Sequence, residues 1–263
     1  LNSLQANALP GTDGATDLFW SPDNQFIGFF AQGKLKKIAA SGGPPQTLCD
    51  AQDPRGGTWN RDGVILFAPT ASSGLFTVPA GGGSPVQVLK PGDSISLDSP
   101  RYPEFLPDGR HFLYTIIGGK TENAGIYAGS LDGKPSVRLL PDVSNAIYAP
   151  ASSSGRDAPG RTQNQVGYLL LRRGETLIAQ PFNPTQLRMT GDSFPIADRV
   201  GVGGGMLVAV GAFSVSENGT LAHGSGALTA IQLEWTDRAG KPLGSFGPPG
   251  AYNRFRLAPD EKR

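Results

Sequence analysis

The sequence has few of the residues that carry metal, redox or proton-transfer chemistry. Cys49 is its one cysteine, and His111 and His223 are its two histidines. A single cysteine excludes a disulfide within the chain and a metal cluster built on cysteines, and we expect Cys49 to pack as a small apolar residue at the end of a strand. Because two distant histidines do not supply a metal-binding cluster, we predict no metal ion and no cofactor.

Charge is also scarce. Charged residues make up 17% of the chain, and the formal net charge is +1. This balance does not favour a nucleic-acid partner, which attracts strongly basic proteins. The apolar runs are too short to span a bilayer, so we expect no membrane insertion by this segment.

The motifs of several enzyme classes are missing. The sequence contains no Gly-x-Ser-x-Gly elbow of a serine hydrolase, no Gly-x-x-x-x-Gly-Lys phosphate loop and no His-Glu-x-x-His metal motif. A kinase catalytic loop is missing too. Because no residue pattern carries hydrolysis or phosphoryl transfer, the sequence predicts that this chain is not an enzyme.

Glycine and proline, by contrast, are abundant. The chain has 37 glycines and 23 prolines, and they fall between short apolar runs rather than in low-complexity tracts. Residues 20–48 show the pattern: a turn at 21–24, an aromatic run at 26–30, a second strand pattern at 35–38, a Gly-Gly-Pro-Pro turn and a short last strand. This order predicts turns and strands without a helix.

The same unit recurs along the chain. Its turn carries an acidic residue at Asp23, Asp62, Asp108 and Asp260. A repeat of about 40–50 residues built of short strands is the signature of a β-propeller blade. Because the spacing of these acids is the spacing of the repeat, we expect each to cap its own turn and none to share a metal ion with another. The two histidines also take repeat positions that other units fill with ordinary strand residues, so we expect them to be structural.

Longer phrases resemble a known family. The turn Ser-Pro-Asp-Asn/Gly, an apolar strand and then Gly-Gly-Pro/Ser-Pro-x-x-Leu resemble the TolB-type, WD-like propeller repeat. The phrases KLKKIAASGGPPQTLCD, GGTWNRDGVILFAP, FLPDGRHFLY and FSVSENGTLAHGSG look like the propeller that follows the kinase domain in a group of bacterial eukaryotic-type serine/threonine protein kinases. The resemblance covers nearly the whole chain, and it implies an extracytoplasmic location, either periplasmic or at the cell surface.

The predicted fold is therefore all-β, a β-propeller of four-stranded antiparallel blades. We predict a single propeller domain or fragment over 1–263, with five recognisable repeats, partial blades at both ends and about six blades if the ring closes. The predicted blades lie at about 15–49, 56–90, 99–140, 146–200 and 211–247, and the partial blades at 1–12 and 252–263. An open arc would expose strand edges and favour self-association through edge pairing.

The starts of the first strands suggest a binding site, because in a propeller they surround one entrance of the central channel. Counting back seven residues from the turn acid gives Arg55 and Arg101, and counting back six gives Asp17 and Arg254. Several arginines at one entrance predict a site for a small anionic ligand or an acidic peptide.

Two further arginines belong to this prediction. Arg172 and Arg173 lie between the second and third strands of the fourth blade, and we expect them on the same face. The alternative is that the arginines are solvated loop charges or pair with the nearby acids Asp17, Asp53 and Asp98.

Three functions remain open. The leading hypothesis is a non-catalytic sensor or protein-interaction propeller, the extracytoplasmic domain of a bacterial serine/threonine kinase, with a protein, a peptide or a small anion bound on its loop face. The alternatives are a TolB-like periplasmic scaffold and the substrate-gating propeller of a serine peptidase whose catalytic domain lies elsewhere. The sequences flanking this segment would distinguish them.

Overall fold

The computed structural model describes residues 8–90, 99–117, 122–151, 167–203, 210–216, 219–225, 231–236, 241–250 and 255–257. By its internal contacts the chain divides into two compact units. Residues 5–145 form the N-terminal unit, and residues 146–263 with 1–4 form the C-terminal unit. The regular elements of the described residues are all β-strands, and no helix among them is long and apolar enough to cross a bilayer.

The N-terminal unit contains three antiparallel sheets of four strands each, paired in chain order. The first sheet comprises β1 (Thr16–Trp20), β2 (Phe26–Ala31), β3 (Lys34–Ala39) and β4 (Gln46–Asp50). The second comprises β5 (Gly57–Trp59), β6 (Val64–Phe67), β7 (Leu75–Pro79) and β8 (Val86–Leu89). The third comprises β9 (Ser99–Phe105), β10 (His111–Ile117), β11 (Gly125–Ser130) and β12 (Val137–Leu140).

The C-terminal unit contains two larger sheets and one small one. The first is built on β13 (Ala146–Pro150), β14 (Gly167–Arg173) and β15 (Thr176–Asn183), with β16 (Arg188–Met189) and β17 (Phe194–Ala197) both pairing with β15. The small sheet pairs β18 (Val202–Gly203) with β19 (Val210–Gly211). The last sheet comprises β20 (Phe213–Val215), β21 (Leu221–Ser225), β22 (Ile231–Thr236) and β23 (Pro242–Gly250).

The predicted fold class is confirmed: the chain is all-β, with the antiparallel four-stranded blades of a β-propeller, five of them among the described residues. Within the predicted partial blades, the described residues 8–12 and 255–257 form no strand. At the end of the fourth blade, β17 stops at Ala197; the Val200 amide donates to the Glu175 carbonyl at 2.8 Å, and Val200 also bridges to Ser225 of the last sheet. The polar stretch 152–166 lies outside the described residues.

In the three repeats of the N-terminal unit, the turn between first and second strands has a similar geometry. A backbone hydrogen bond closes it, for example from the Ser21 amide to the Phe26 carbonyl at 2.9 Å and from the Asn60 amide to the Val64 carbonyl at 3.0 Å. The residue after each turn acid adopts a positive φ, which explains why the sequence places asparagine or glycine there. These residues are Asn24, Gly63 and Gly109, with φ values of 61°, 74° and 70°.

Aromatic side chains fill the space between neighbouring sheets of the N-terminal unit. Phe30 lies 6.1 Å from Phe19 of its own sheet and 6.3 Å from Phe67 of the second sheet, measured between ring centroids. Phe67 is fully buried and also contacts Phe76 at 6.5 Å. This cluster fixes the first two blades against each other, and with them the starts of their first strands.

Candidate anion-binding site

The first strands of the N-terminal unit share a backbone feature that the repeat pattern did not reveal. Six residues before each turn acid, at Asp17, Gly56 and Tyr102, φ is positive, with values of 51°, 96° and 53°. Two of these positions lie within irregularities of the strand pairing, one between Thr16 and Phe19 in β1 and one between Arg101 and Glu104 in β9. A positive φ at a bulge turns the neighbouring side chains away from their regular strand directions. The positive φ therefore changes the direction of the neighbouring side chains.

Gly56 holds the second and third blades close together at this point. The Tyr102 amide donates a hydrogen bond to the Arg55 carbonyl at 2.8 Å, so the two chains meet backbone to backbone. A Cβ at Gly56 would lie 3.1 Å from the Cα of Tyr102. Only glycine combines the positive φ with this approach. The contact thereby fixes Arg55, which lies just before β5, relative to Arg101 on β9.

Arg55 already has a carboxylate partner. Its Nη1 donates to Oδ1 of Asp53 at 2.6 Å and its Nη2 donates to Oδ2 at 2.9 Å, which is the bidentate geometry that arginine and carboxylates favour. Nη1 also donates to the Pro54 carbonyl at 2.8 Å. The Arg55 side chain keeps 28% of its surface exposed and that of Asp53 57%. Arg55 is thus a partly exposed, locally neutralised cation.

Arg101 is in the opposite situation. The residue is only 5% exposed, and its Nε has no hydrogen-bond partner in the described part of the chain. No ion pair joins it to a carboxylate of the described residues. Burial lowers the pKa of Arg101; the like charge of Arg55 lowers it further, whereas Tyr102 and Asp53 act in the opposite direction. Arginine stays protonated under all ordinary conditions, so this is a buried positive charge without a paired anion.

Tyr102 completes the site. Burial raises the pKa of its phenol, and the positive charges of Arg101 and Arg55 offset part of that rise. The phenol is therefore neutral at pH 7 and keeps its proton as a donor. Sequence reasoning missed both Tyr102 and Gly56, because neither residue type announces a bulge or a contact between blades.

The other predicted site residues have the following positions. Asp17 lies at the equivalent position of the first blade and is buried. Arg172 belongs to the C-terminal unit, where its Nε donates to the Val200 carbonyl at 2.8 Å, and Arg173 is exposed at the end of β14. Arg254, with Asp98, lies outside the described residues.

The turn acids have local hydrogen bonds. Oδ1 of Asp23 accepts from the Gln25 amide at 3.0 Å, and Oδ1 of Asp108 accepts from the amides of Arg110 and His111. In the second blade Asn60, not Asp62, accepts the turn amides, at 3.1 Å from Asp62 and 2.9 Å from Val64. Asp260 lies outside the described residues. Among the described residues no three His, Cys, Asp or Glu side chains are grouped so as to hold a metal ion.

The comparisons with known proteins establish the fold. No protein-family model matches the chain, and neither does the sequence of any curated protein. Solved structures do: a TolB-type protein from Agrobacterium tumefaciens (18% identity, 94% of this chain and 87% of that chain, TM-score 0.62), a gluconolactonase from Xanthomonas campestris (17%, 93% and 80%, 0.62) and the calcium-binding protein regucalcin from Agrobacterium tumefaciens (16%, 98% and 81%, 0.62). At these identities the likeness shows a shared fold and leaves the activity open.

One expectation from the sequence is corrected by these structures. The prediction that the chain is not an enzyme is wrong, because it assumed that a propeller without familiar hydrolase or kinase motifs has no chemistry of its own. A gluconolactonase has the same fold and is as similar to this chain as the TolB-type protein is. The likeness to TolB supports the TolB-like part of the proposed resemblance, whereas the link to kinase-associated propellers stays a prediction.

Proposed function

We propose that this chain is the ligand-binding propeller of a larger extracytoplasmic bacterial protein, and that it binds the anionic group of a protein or peptide partner at Arg101 and Arg55. The observation that carries the proposal is the buried guanidinium of Arg101, whose Nε has no hydrogen-bond partner and which forms no ion pair with a carboxylate among the described residues. A buried charge without a counterion is costly, and proteins keep such groups where a partner supplies the missing charge.

The surroundings of Arg101 support a binding role. It lies on β9, within a four-stranded sheet, and the Tyr102–Arg55 backbone contact fixes it relative to the second blade. A rigid support of this kind holds a recognition residue in one orientation and lowers the entropy lost on binding. Arginine also presents a planar fork of donors that suits carboxylates and phosphates.

The larger protein is proposed from the family resemblance. The TolB-like repeat and its likeness to kinase-associated propellers support an extracytoplasmic sensor attached to a serine/threonine kinase. Reading the gene on both sides of this segment tests that part. A kinase domain and an apolar helix of about 20 residues upstream support it, whereas a signal peptide alone or an α/β-hydrolase domain downstream overturns it.

Binding itself is tested with a labelled hexaglutamate peptide and fluorescence anisotropy. We expect saturable binding that weakens as salt rises and that drops at least tenfold in an Arg55→Ala/Arg101→Ala double variant. Arg188→Ala, which removes an exposed arginine of the C-terminal unit, is the matched control and should bind as the wild type does. Equal binding by all three proteins, or no binding by the wild type, would contradict an acidic-peptide site.

Catalysis on a sugar lactone is a second candidate, supported by the gluconolactonase of the same fold. The assay is hydrolysis of gluconolactone by the purified chain, alone and with magnesium, calcium, manganese or zinc. Hydrolysis above the spontaneous rate, at a constant rate per protein, would establish the activity. Rates equal to the buffer with every metal would remove it.

A further inference from the structure

The charges at the anion-binding site can be counted. Arg55 and Asp53 are charged side chains that act on Arg101, in opposite directions: Arg55 lowers its pKa and Asp53 raises it. Asp53 is held on Arg55 by two hydrogen bonds, so these two side chains neutralise each other. Tyr102 adds a neutral hydroxyl. Arg101, Arg55 and Asp53 together therefore carry one net positive charge.

We propose that the site takes a single carboxylate group, such as a side chain or chain terminus that protrudes from the partner, in preference to a doubly charged phosphate or sulfate, and that Asp53 sets this preference. The inference rests on the proposed function, because it names the ligand class of the same site. It differs from that function in assigning a selectivity and the residue responsible for it.

The charge count carries the argument. A monoanion neutralises one positive charge, whereas a dianion would leave one negative charge in a site whose remaining acid, Asp53, already repels it. Burial strengthens that repulsion, since charges interact more strongly away from water. Phosphate and sulfate sites in proteins usually gather more than one unpaired cation, and here Asp53 occupies the second one.

The space around Arg101 points to a small group as well. Only 5% of the Arg101 surface is exposed, so a flat protein surface cannot contact it and the proposed ligand has to be a small, protruding group. Nε of Arg101 is the donor without a partner, and Nε with one Nη forms a fork that matches the two oxygens of a carboxylate. A carboxylate would thus give the buried guanidinium the partner that the described residues do not provide.

The experiment follows the Nε–H signal of Arg101 in ¹H–¹⁵N NMR spectra, assigned by its loss in Arg101→Gln. Sodium acetate and sodium sulfate are titrated separately at pH 7, with sodium chloride adjusted to constant ionic strength. In the wild type we expect acetate to shift the signal to saturation and sulfate to need at least a tenfold higher concentration. In Asp53→Asn, which releases Arg55, we expect sulfate to saturate at or below the acetate concentration.

Asp50→Asn is the control. It removes the same charge from the same part of the chain, but Asp50 pairs with the exposed Lys34 and not with Arg55. Its anion preference should remain that of the wild type.

The possible failures are distinguishable. If sulfate saturates the Arg101 signal at a lower concentration than acetate in the wild type, or if Asp53→Asn leaves the preference unchanged, the carboxylate inference is wrong and the binding site stands. If neither anion shifts the signal and hexaglutamate binds equally to wild type and Arg101→Gln, both the inference and the proposed function are wrong.

Discussion

The two units of the chain each bury an ionisable side chain, and they do so differently. In the N-terminal unit Arg101 is 5% exposed and remains charged. In the C-terminal unit His223 is 4% exposed, with Nε2 3.2 Å from Oγ1 of Thr236 and no partner on Nδ1 in the described part of the chain. Burial lowers the pKa of His223, and the nearby charge of Glu234 only partly opposes this effect.

The difference lies in the chemistry of the two groups. Histidine can lose its proton, so the protein buries the neutral imidazole and needs no counterion at neutral pH. Arginine cannot, so its burial leaves a charge that only an anion can neutralise. A buried histidine therefore makes the fold sensitive to acid, whereas the buried arginine is the basis of the proposed anion-binding site.

The prediction with the largest expected effect tests whether the two units unfold independently of each other. Phe67→Ala removes a fully buried ring that contacts Phe30 and Phe76, and it should lower the free energy of unfolding by about 3–5 kcal/mol. Hydrogen exchange should speed up in β5–β8, while the amides of β13–β15 keep their protection. Equal loss of protection in both units would mean that they unfold together, and the comparison would fail.

A smaller effect tests how the N-terminal unit positions Arg101. Gly56→Ala should cost about 1–3 kcal/mol, because the new Cβ meets the Tyr102 backbone at a residue with φ +96°. Gly63→Ala is the control, because φ is also positive there, +74°, but nothing lies within 4 Å of the added Cβ. Only the backbone strain of a positive φ should act on this variant, at a cost of about 1 kcal/mol.

The same two variants separate stability from site geometry. Gly56→Ala should move the Nε–H signal of Arg101 and weaken acetate binding, and Gly63→Ala should do neither. Loss of acetate binding in both variants would show that the site responds to general destabilisation rather than to the contact between the second and third blades.

Acid should destabilise the C-terminal unit through His223. Its pKa in the folded protein lies below the ordinary value of 6.5, so below about pH 6.5 the unfolded chain takes up a proton that the folded chain does not. Stability is therefore full above this pH and decreases as the pH falls from 6.5 towards the folded pKa. Urea unfolding between pH 7.5 and 5 should show this loss in the wild type.

The variant His223→Gln should flatten that pH dependence. The control is His111→Gln, which changes the histidine that lies beside Asp108 at the edge of a turn. If His223→Gln retained the wild-type slope between pH 6.5 and 5, the pH sensitivity would belong to other groups, and His223 would not be the acid-sensitive counterpart of Arg101.

The sequence predicted the features that repeat. The turn acid and the glycine or asparagine after it set a local geometry, so strands and turns were readable without knowledge of distant contacts. Arg55 and Arg101 could be selected by counting back from the same turns. The difference in pairing and burial between these two arginines could not be predicted, because it depends on how neighbouring blades meet.

Departures from the repeat were the hardest to predict. The positive φ of Tyr102 comes from a bulge, which has no residue signature when glycine is absent. His223 was correctly placed in a strand, but its burial arises from the packing of the C-terminal unit. The possibility of catalysis was misjudged for a different reason, since the absence of familiar motifs does not exclude chemistry on a fold that a gluconolactonase shares.

The smallest expected effect sharpens the contrast between charges inside and outside the site. Lys34 and Asp50 form an ion pair whose side chains are 42% and 72% exposed, and water screens such a pair. Asp50→Asn should change the free energy of unfolding by less than about 1 kcal/mol and leave anion binding unaltered. Asp53→Asn should also change stability little, because Asp53 is mostly exposed, yet it should alter anion preference. If both substitutions altered that preference equally, the selectivity would follow net charge, and the fork between Asp53 and Arg55 would have no special part in it.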